Sequence, residues 1–251
     1  MTAGKSLELI RAGGPDDAPD LLFLHGFGAD RFAWTATTPA FESDFRVWLV
    51  ELPGHGANAE VDAITASQMA QVLAGALDGL SLPVSIVAHS LGATVAIELA
   101  RQSPEHVKRA VLIAPLGLCA GVNEAFLRDF ADLETSNATI DHLRMLVQRP
   151  RLISPQMATH VLGFLNAAGH RDTMRKIAQS ALKLGAVSLP EALDATLIWG
   201  EEDAVVPPDR PHLESLTCPV SFLPGTGHMP QMEAIRRTNE IIARALEPVR
   251  G

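Results

Sequence analysis

The sequence has no tyrosine, only two cysteines and no long apolar run. The cysteines, Cys119 and Cys218, can form at most one bridge, and their apolar surroundings favour reduced thiols in the core. This excludes a disulfide framework. No apolar segment reaches the length of a membrane span, and the first residues show no signal-peptide pattern. We therefore expect a cytoplasmic protein that is not inserted in a membrane.

Positive charge is also scarce. Lys and Arg number 20 against 29 Asp and Glu, which gives a formal net charge of -9. Nucleic acids and anionic membrane surfaces are bound by basic patches, so we expect neither as a partner. The chain has 251 residues, of which 47% are hydrophobic and 20% charged. That composition is typical of a globular protein with a sizeable core.

Short apolar runs alternate with helical patterns in most of the chain. Runs that are apolar on both faces are expected for strands of a parallel sheet covered on both sides. Residues 65–80 and 91–102 have the apolar spacing of helices. The alternation predicts an α/β fold. The strand runs are LLFLHG (21–26), FRVWLVELPGHG (45–56), LPVSIVAHS (82–90), VKRAVLIAP (107–115), ATLIWG (195–200) and CPVSFLPG (218–225), and a last helix is predicted for 232–246.

The strand pattern is interrupted in the middle of the chain, where only short amphipathic helices are indicated. Asn123 and Ser154 are suitable N-caps for two of them. We therefore divide the chain into a core, residues 1–118 and 188–251, and a helical cap, residues 119–187.

Ser90 lies where a strand run turns directly into a helix, within AHSLG. A sharp strand-to-helix turn that raises a nucleophile requires small residues two positions away on each side, which are Ala88 and Gly92 here. The usual motif has glycine in the first small position, so alanine is a departure from it. Taken alone, the motif fits a nucleophile elbow and a simple helix N-cap about equally well.

A serine nucleophile requires a base, and the base requires an orienting acid. In folds with this elbow, the acid and then a histidine follow the serine along the chain, on loops after later strands. Asp203 follows ATLIWG and His228 follows CPVSFLPG, at the sheet edge where ligands bind. Glu201 and Glu202 are alternative acids, but Asp203 lies one turn beyond the strand and has the shorter side chain. We predict a triad of Ser90, Asp203 and His228.

Acyl transfer also requires backbone amides that face the developing oxyanion. Leu91, directly after the candidate nucleophile, supplies one. The loop FLHGFGAD supplies the other, because Gly26 and Gly28 allow a tight turn around Phe27. We predict the amides of Phe27 and Leu91 as the oxyanion hole, and we expect His25 to bond the backbone of the loop.

The motifs HGFG, ELPGHG, AHSLGA, WGEEDAVVP and GTGH, in this order, resemble the α/β-hydrolase superfamily over nearly the whole chain. The resemblance implies a mostly parallel eight-stranded sheet flanked by helices, with the first strand or two reduced here, and a helical cap inserted after the sixth strand. The cap, with GFGADRFAW and LPGHGAN, is similar to the hydrolase-like domain of acetoin dehydrogenase dihydrolipoyl acetyltransferase components. Those proteins usually carry a lipoyl domain, so their activity is not directly implied.

Several other chemistries lack their characteristic residues. No histidine lies in the H-x-x-x-D-G context of 2-oxo acid dehydrogenase acyltransferases, and the elbow does not have the aspartate of epoxide hydrolases and haloalkane dehalogenases. No H-E-x-x-H occurs, GFGADR lacks the third glycine of a dinucleotide loop, and there is no P-loop. We expect no metal and no cofactor.

The sequence therefore predicts a serine hydrolase or acyltransferase that acts on a small ester or thioester through an acyl-enzyme. Two alternatives stay open: C–C bond hydrolysis of a vinylogous diketone, and ligand binding without catalysis on the same fold. A homodimer is also open. The apolar cap residues are interpreted as the roof of an acyl pocket or, equally, as the packing of the cap. The predicted substrate-site residues are Gly26, Gly28, Phe126, Phe130, Met157, Phe164 and Met229.

Overall fold

The computed structural model describes residues 7–247 and has a seven-stranded sheet of order β1-β3-β2-β4-β5-β6-β7. The first strand is antiparallel to its neighbour, and every other pair is parallel. The strands are β1 (Leu9–Gly13), β2 (Asp20–Leu24), β3 (Arg46–Val50), β4 (Val84–His89), β5 (Val107–Ile113), β6 (Ala195–Gly200) and β7 (Val220–Leu223).

The helices begin at the caps that the local sequence provides. Asn123 accepts a hydrogen bond from the amide of Phe126, and Ser154 accepts one from the amide of Met157. Both predicted N-caps are therefore confirmed. The helices are α1 (Ala66–Ala76), α2 (Leu91–Gln102), α3 (Glu124–Asp129), α4 (Ser136–Arg144), α5 (Pro155–Leu165), α6 (His170–Leu182), α7 (Arg210–Glu214), α8 (Pro230–Glu233) and α9 (Ile235–Leu246).

Each of the six predicted strand runs overlaps a strand, and the predicted α/β architecture with a mostly parallel sheet is confirmed. Strand β1 was not predicted, because it is a short edge strand whose residues are half-buried or exposed and gives no continuous apolar run. The last helix was predicted as one element from residue 232. It is interrupted at Ala234, which separates α8 from α9.

The cap helices α3 to α6 lie between β5 and β6, inside the segment predicted as the cap. Within residues 7–247 the insertion follows the fifth strand. The eight-stranded pattern implied an insertion after the sixth, so the sheet described here has one strand fewer before the cap. Cap and sheet residues belong to one apolar cluster, which includes Phe130, Met174, Leu24 and Leu112. The predicted domain boundaries therefore stay a prediction. No helix of residues 7–247 is both long and apolar enough to cross a membrane.

The sheet topology determines where the candidate residues meet. Strands β2, β4, β6 and β7 run parallel, so their carboxyl ends lie at one edge of the sheet. The loops that follow them contain Phe27, Ser90, Asp203 and His228, respectively. Distant parts of the sequence thus converge at the edge where α/β folds bind ligands.

Candidate active site

Ser90 forms a strained turn between β4 and α2. Its φ of 53° and ψ of -119° lie outside the conformation of an ordinary N-cap, and its side chain makes no capping hydrogen bond. The turn is fixed by its backbone: the amide donates to Ile113 at 2.9 Å, and the carbonyl accepts from Ala93 at 3.0 Å. Strain of this kind persists only where the surroundings enforce it, and it is concentrated at functional sites. The backbone has the geometry of a nucleophile elbow, and although Ser90 directly precedes α2, its side chain does not cap the helix.

Small residues allow the turn to approach the neighbouring strand. A Cβ atom on Gly92 would lie 2.3 Å from the carbonyl oxygen of His25. A Cβ atom on Gly26 would lie 2.9 Å from Nδ1 of His89 and 3.0 Å from Cβ of Ser90. The loop after β2 therefore packs directly against the elbow, with no room for side chains between them.

This close approach predicts that Gly92→Ala destabilises the fold. The new methyl group forces backbone apart, which costs about 1–3 kcal/mol of unfolding free energy. Gly163→Ala is the matched control, because no atom lies within 4 Å of the added Cβ on helix α5. That change is expected to stabilise by about 0.5–1 kcal/mol through helix propensity. Urea unfolding measures the free energy of unfolding of both variants. Equal changes for the two substitutions would contradict the packing argument.

Asp203 and His228 form a buried, hydrogen-bonded pair. His228 donates its Nδ1–H to Oδ2 of Asp203 at 2.7 Å, and the two residues are 1% and 4% exposed, respectively. The other carboxylate oxygen, Oδ1, accepts from the amides of Val205 at 2.8 Å and Val206 at 2.9 Å. Both oxygens are thus occupied, and the histidine keeps a basic Nε2 for another partner.

The two alternative acids face elsewhere. Glu201 pairs with Arg210 at the surface, and Glu202 accepts from the amide of Thr226 at 3.0 Å. The structure therefore places Asp203, rather than either glutamate, against the histidine.

A small chamber brings the candidate nucleophile and base together. Ser90 and His228 both line this chamber, which has a volume of about 30 Å³ and also contacts Gly26, Phe27 and His89. Its volume is close to that of one water molecule. The chamber adjoins a cleft of about 470 Å³, with which it shares the wall residues Phe27, Ala29, Phe126, Leu146 and Met229.

Two amides beside the chamber have no acceptor in the part of the chain that the structure describes. Leu91 is the first residue of α2, so its N–H has no acceptor within the helix. No backbone or side-chain group of residues 7–247 accepts from Leu91 or from Phe27. The N-terminus of α2 adds partial positive charge at this point. These are the donors that an oxyanion would require.

The profile of the alpha/beta hydrolase family matches residues 21–241. The chain belongs to this family. A dihydrolipoyllysine-residue acetyltransferase component of an acetoin cleaving system from Pseudomonas putida is 29% identical over 244 residues, which are 94% of this chain and 65% of that protein. The chain thus spans about two thirds of that relative's length.

Solved structures of the family have the same fold. A meta-cleavage product hydrolase from Pseudomonas fluorescens superposes with a TM-score of 0.82 at 21% identity, over 96% of this chain and 97% of that one. A carboxylesterase from Bacillus subtilis superposes with a TM-score of 0.75 at 20% identity, over 98% of this chain and 89% of that one.

Two buried histidines hold the loop around Phe27 in this α/β-hydrolase chain. His25 donates its Nδ1–H to the carbonyl of Gly26 at 2.8 Å and accepts from the amide of Leu52 at 3.0 Å, as expected for a loop-bonding role. His55 accepts from the amide of Gly28 at 3.1 Å. Burial lowers the pKa of His25, and it lowers the pKa of His55 to about 3. Both rings are therefore neutral, which leaves each a nitrogen that can accept.

The sequence analysis missed three residues that position the site: His55, His89 and Glu233. His89 donates its Nε2–H to the carbonyl of His228 at 2.8 Å. Glu233 accepts from the amides of Gly227 at 2.6 Å and Gln148 at 2.9 Å, so it connects the histidine loop to the cap loop between α4 and α5. The signal for His55 was the motif LPGHG, which was quoted only for the resemblance. Nothing in one sequence marks Glu233.

Most predicted substrate-site residues surround the chamber and the cleft. Phe164 lies apart: it stacks on His55 at 6.3 Å between ring centroids and lines a second cleft of about 500 Å³. Within residues 7–247, no cluster of three His, Cys, Asp or Glu side chains is placed to hold a metal ion. The residues that line the chamber or the first cleft are Gly26, Gly28, Phe126, Phe130, Met157 and Met229.

Proposed function

We propose that this chain is a serine hydrolase or acyltransferase that acts on a small ester or thioester, with Ser90, His228 and Asp203 as its catalytic triad. The observation that carries the proposal is the shared chamber: a serine on a strained elbow and an aspartate-bound histidine line the same small space. The names of two relatives, an acetyltransferase component and a carboxylesterase, support acyl chemistry.

The first half of the reaction forms an acyl-enzyme. Nε2 of His228 removes the proton of Ser90 while Oγ attacks the carbonyl carbon of the substrate. Asp203 holds the imidazole in the tautomer with hydrogen on Nδ1 and stabilises its charged form. The amides of Phe27 and Leu91 donate to the oxyanion, and each such donor contributes a rate factor of about 10²–10³.

The second half releases the acyl group. The charged His228 gives its proton to the leaving group, then removes a proton from water or another acceptor that attacks the acyl-enzyme. Because the chamber is only about 30 Å³, it has room for the reacting atoms and little else. The acyl chain must therefore extend into the adjoining cleft of about 470 Å³, whose wall is mostly apolar.

A fluorophosphonate probe tests the proposal, since it labels only a serine that its own active site activates. Wild-type protein is expected to gain one adduct by intact mass and to hydrolyse p-nitrophenyl esters. Ser90→Ala is expected to lose both. Ser81→Ala is the matched control, because Ser81 is exposed and precedes β4, at the opposite end of that strand from Ser90, and it should behave as wild type.

The outcomes separate the alternatives. Absence of an adduct on folded wild-type protein would indicate a ligand-binding protein without catalysis. An adduct on Ser90 without turnover of any ester or thioester would favour C–C bond hydrolysis instead. A homodimer and a cytoplasmic location stay predictions.

A further inference from the structure

The cleft next to Ser90 contains one feature that an unsubstituted acyl chain does not explain. Gln231 lines this cleft and is only 1% exposed, yet no partner for its Oε1 or its Nε2 lies within residues 7–247. A carboxamide has two donor hydrogens and one acceptor oxygen, and buried polar groups are nearly always paired. The other residues that line the cleft are mostly apolar and include Phe126, Leu146, Met157, Val161, Met229 and Met232.

The position of Gln231 is fixed by its helix. It belongs to α8, where Glu233 is bonded to the amide of Gly227 at 2.6 Å and the carbonyl of Pro230 accepts from Thr238 at 2.9 Å. The side chain is also buried, whereas Phe32 and Ile235, which line the same cleft, are 58% and 38% exposed. Gln231 is therefore not part of the exposed wall of the cleft.

The neighbouring segment does not satisfy the carboxamide either. Helix α8 contacts the 3₁₀ turn Arg31–Trp34, and Nε1 of Trp34 is itself buried without a partner. Of these two groups only Gln231 lines the cleft, so its carboxamide is the one that a group entering the cleft can pair with.

The chemistry of the wall restricts that group. No lysine or arginine is among the described residues that line the cleft, and its histidine, His160, is bonded to the carboxylate of Asp30, so a carboxylate or phosphate is disfavoured. A neutral oxygen matches a carboxamide. Met229 lines both the chamber and the cleft, whereas Gln231, two residues later, lines the cleft alone. The matching oxygen therefore lies beyond the reacting carbonyl, along the acyl chain.

We propose that Gln231 is a specificity-determining residue that binds a carbonyl or hydroxyl oxygen on the acyl chain, so that oxo-acyl or hydroxy-acyl esters are preferred over unsubstituted ones. The assignment rests on the proposed function, because it places the acyl group of an ester in this cleft. A site that hydrogen-bonds its substrate discriminates strongly against an analogue lacking the group, since its own polar atoms are then left unpaired.

Matched ester pairs test this assignment. The values of kcat/KM are compared for p-nitrophenyl pentanoate, hexanoate and heptanoate and for their 4-oxo, 5-oxo and 6-oxo counterparts. Wild type is expected to prefer at least one oxo ester by about tenfold or more over its plain counterpart. Gln231→Met, which is nearly isosteric, and Gln231→Leu should abolish that preference while retaining or increasing activity on the plain ester. Met232→Leu, a change at an apolar wall residue, should keep the preference.

The assignment would be overturned if both Gln231 variants had the same ratio of kcat/KM for oxo over plain esters as wild type at every chain length. That result would indicate that an internal water satisfies the carboxamide. Calorimetry makes the same comparison without turnover. It measures how tightly Ser90→Ala protein binds the unreactive 5-oxohexanamide and hexanamide, and the amide pairs of the other two chain lengths. Tighter binding of the oxo amides that depends on Gln231 supports the assignment even if wild type hydrolyses no ester. The absence of ester hydrolysis would overturn only the proposed function.

Discussion

Asp203→Asn is expected to lower kcat for ester hydrolysis about ten-thousandfold, with little change in KM. The structure fixes how asparagine would sit. The amides of Val205 and Val206 both donate to Oδ1, so the new side chain keeps its oxygen there. Its NH₂ group then faces Nδ1 of His228 in place of the present acceptor. The ring must carry its hydrogen on Nε2 instead, and that nitrogen can no longer take the proton of Ser90.

The matched control is Asp209→Asn. Asp209 is exposed and accepts from the amide of His212 at the start of α7, a role in which asparagine is equally effective. Its kcat is expected to equal that of wild type. Steady-state kinetics with one p-nitrophenyl ester measure kcat for both variants, and circular dichroism checks their folding. An Asp203→Asn enzyme within tenfold of wild-type kcat would show that tautomer control by this carboxylate is not required.

The order of strands and loops could be predicted from the sequence because parallel strands bring their carboxyl ends together. Ser90, Asp203 and His228 each follow an apolar run, and the chain order serine, acid, histidine is itself a constraint. The same reasoning discriminated Asp203 from Glu201 and Glu202, since position relative to the strand end is a local property. The structure has each of these residues in the loop after its strand, and their catalytic roles stay a prediction.

What could not be predicted depends on contacts between residues far apart in the sequence. Glu233 accepts from an amide in the cap loop between α4 and α5, and the unpaired carboxamide of Gln231 is visible only once the cleft is formed. Phe164 was assigned to the substrate site from an apolar helical stripe. The stripe does not specify which of two adjacent clefts the ring borders, and the ring stacks on His55 instead.

The neutral histidines that hold the site make the stability of the fold sensitive to acid. Burial is the main cause that lowers the pKa of His55 to about 3, with a further contribution from the nearby His25. Burial likewise lowers the pKa of His25 and, together with His228, places that of His89 well below its usual range. His55 is neutral for a structural reason: its Nδ1–H donates to Pro53 at 3.0 Å, so Nε2 must stay an acceptor.

The free energy of unfolding is therefore expected to be constant with respect to these groups above about pH 6.5 and to fall as the pH is lowered below it. Above that pH the rings are neutral in both states. Below it the unfolded chain takes up protons that the folded chain does not, and each such histidine costs about 1.4 kcal/mol per pH unit until the folded ring titrates. For His55 the window extends to its folded pKa of about 3.

Urea unfolding between pH 7 and pH 5, where most carboxylates are still ionised, measures this slope. His55→Gln is expected to be less stable than wild type at pH 7, because it loses the bond to Pro53, but to have a slope smaller by up to about 1.4 kcal/mol per pH unit. His212→Gln, at an exposed histidine, should keep the wild-type slope. If His55→Gln and wild type lose stability in parallel, then His55 is protonated in the folded chain, and its nitrogen cannot be the acceptor that holds the amide of Gly28 beside the oxyanion donors.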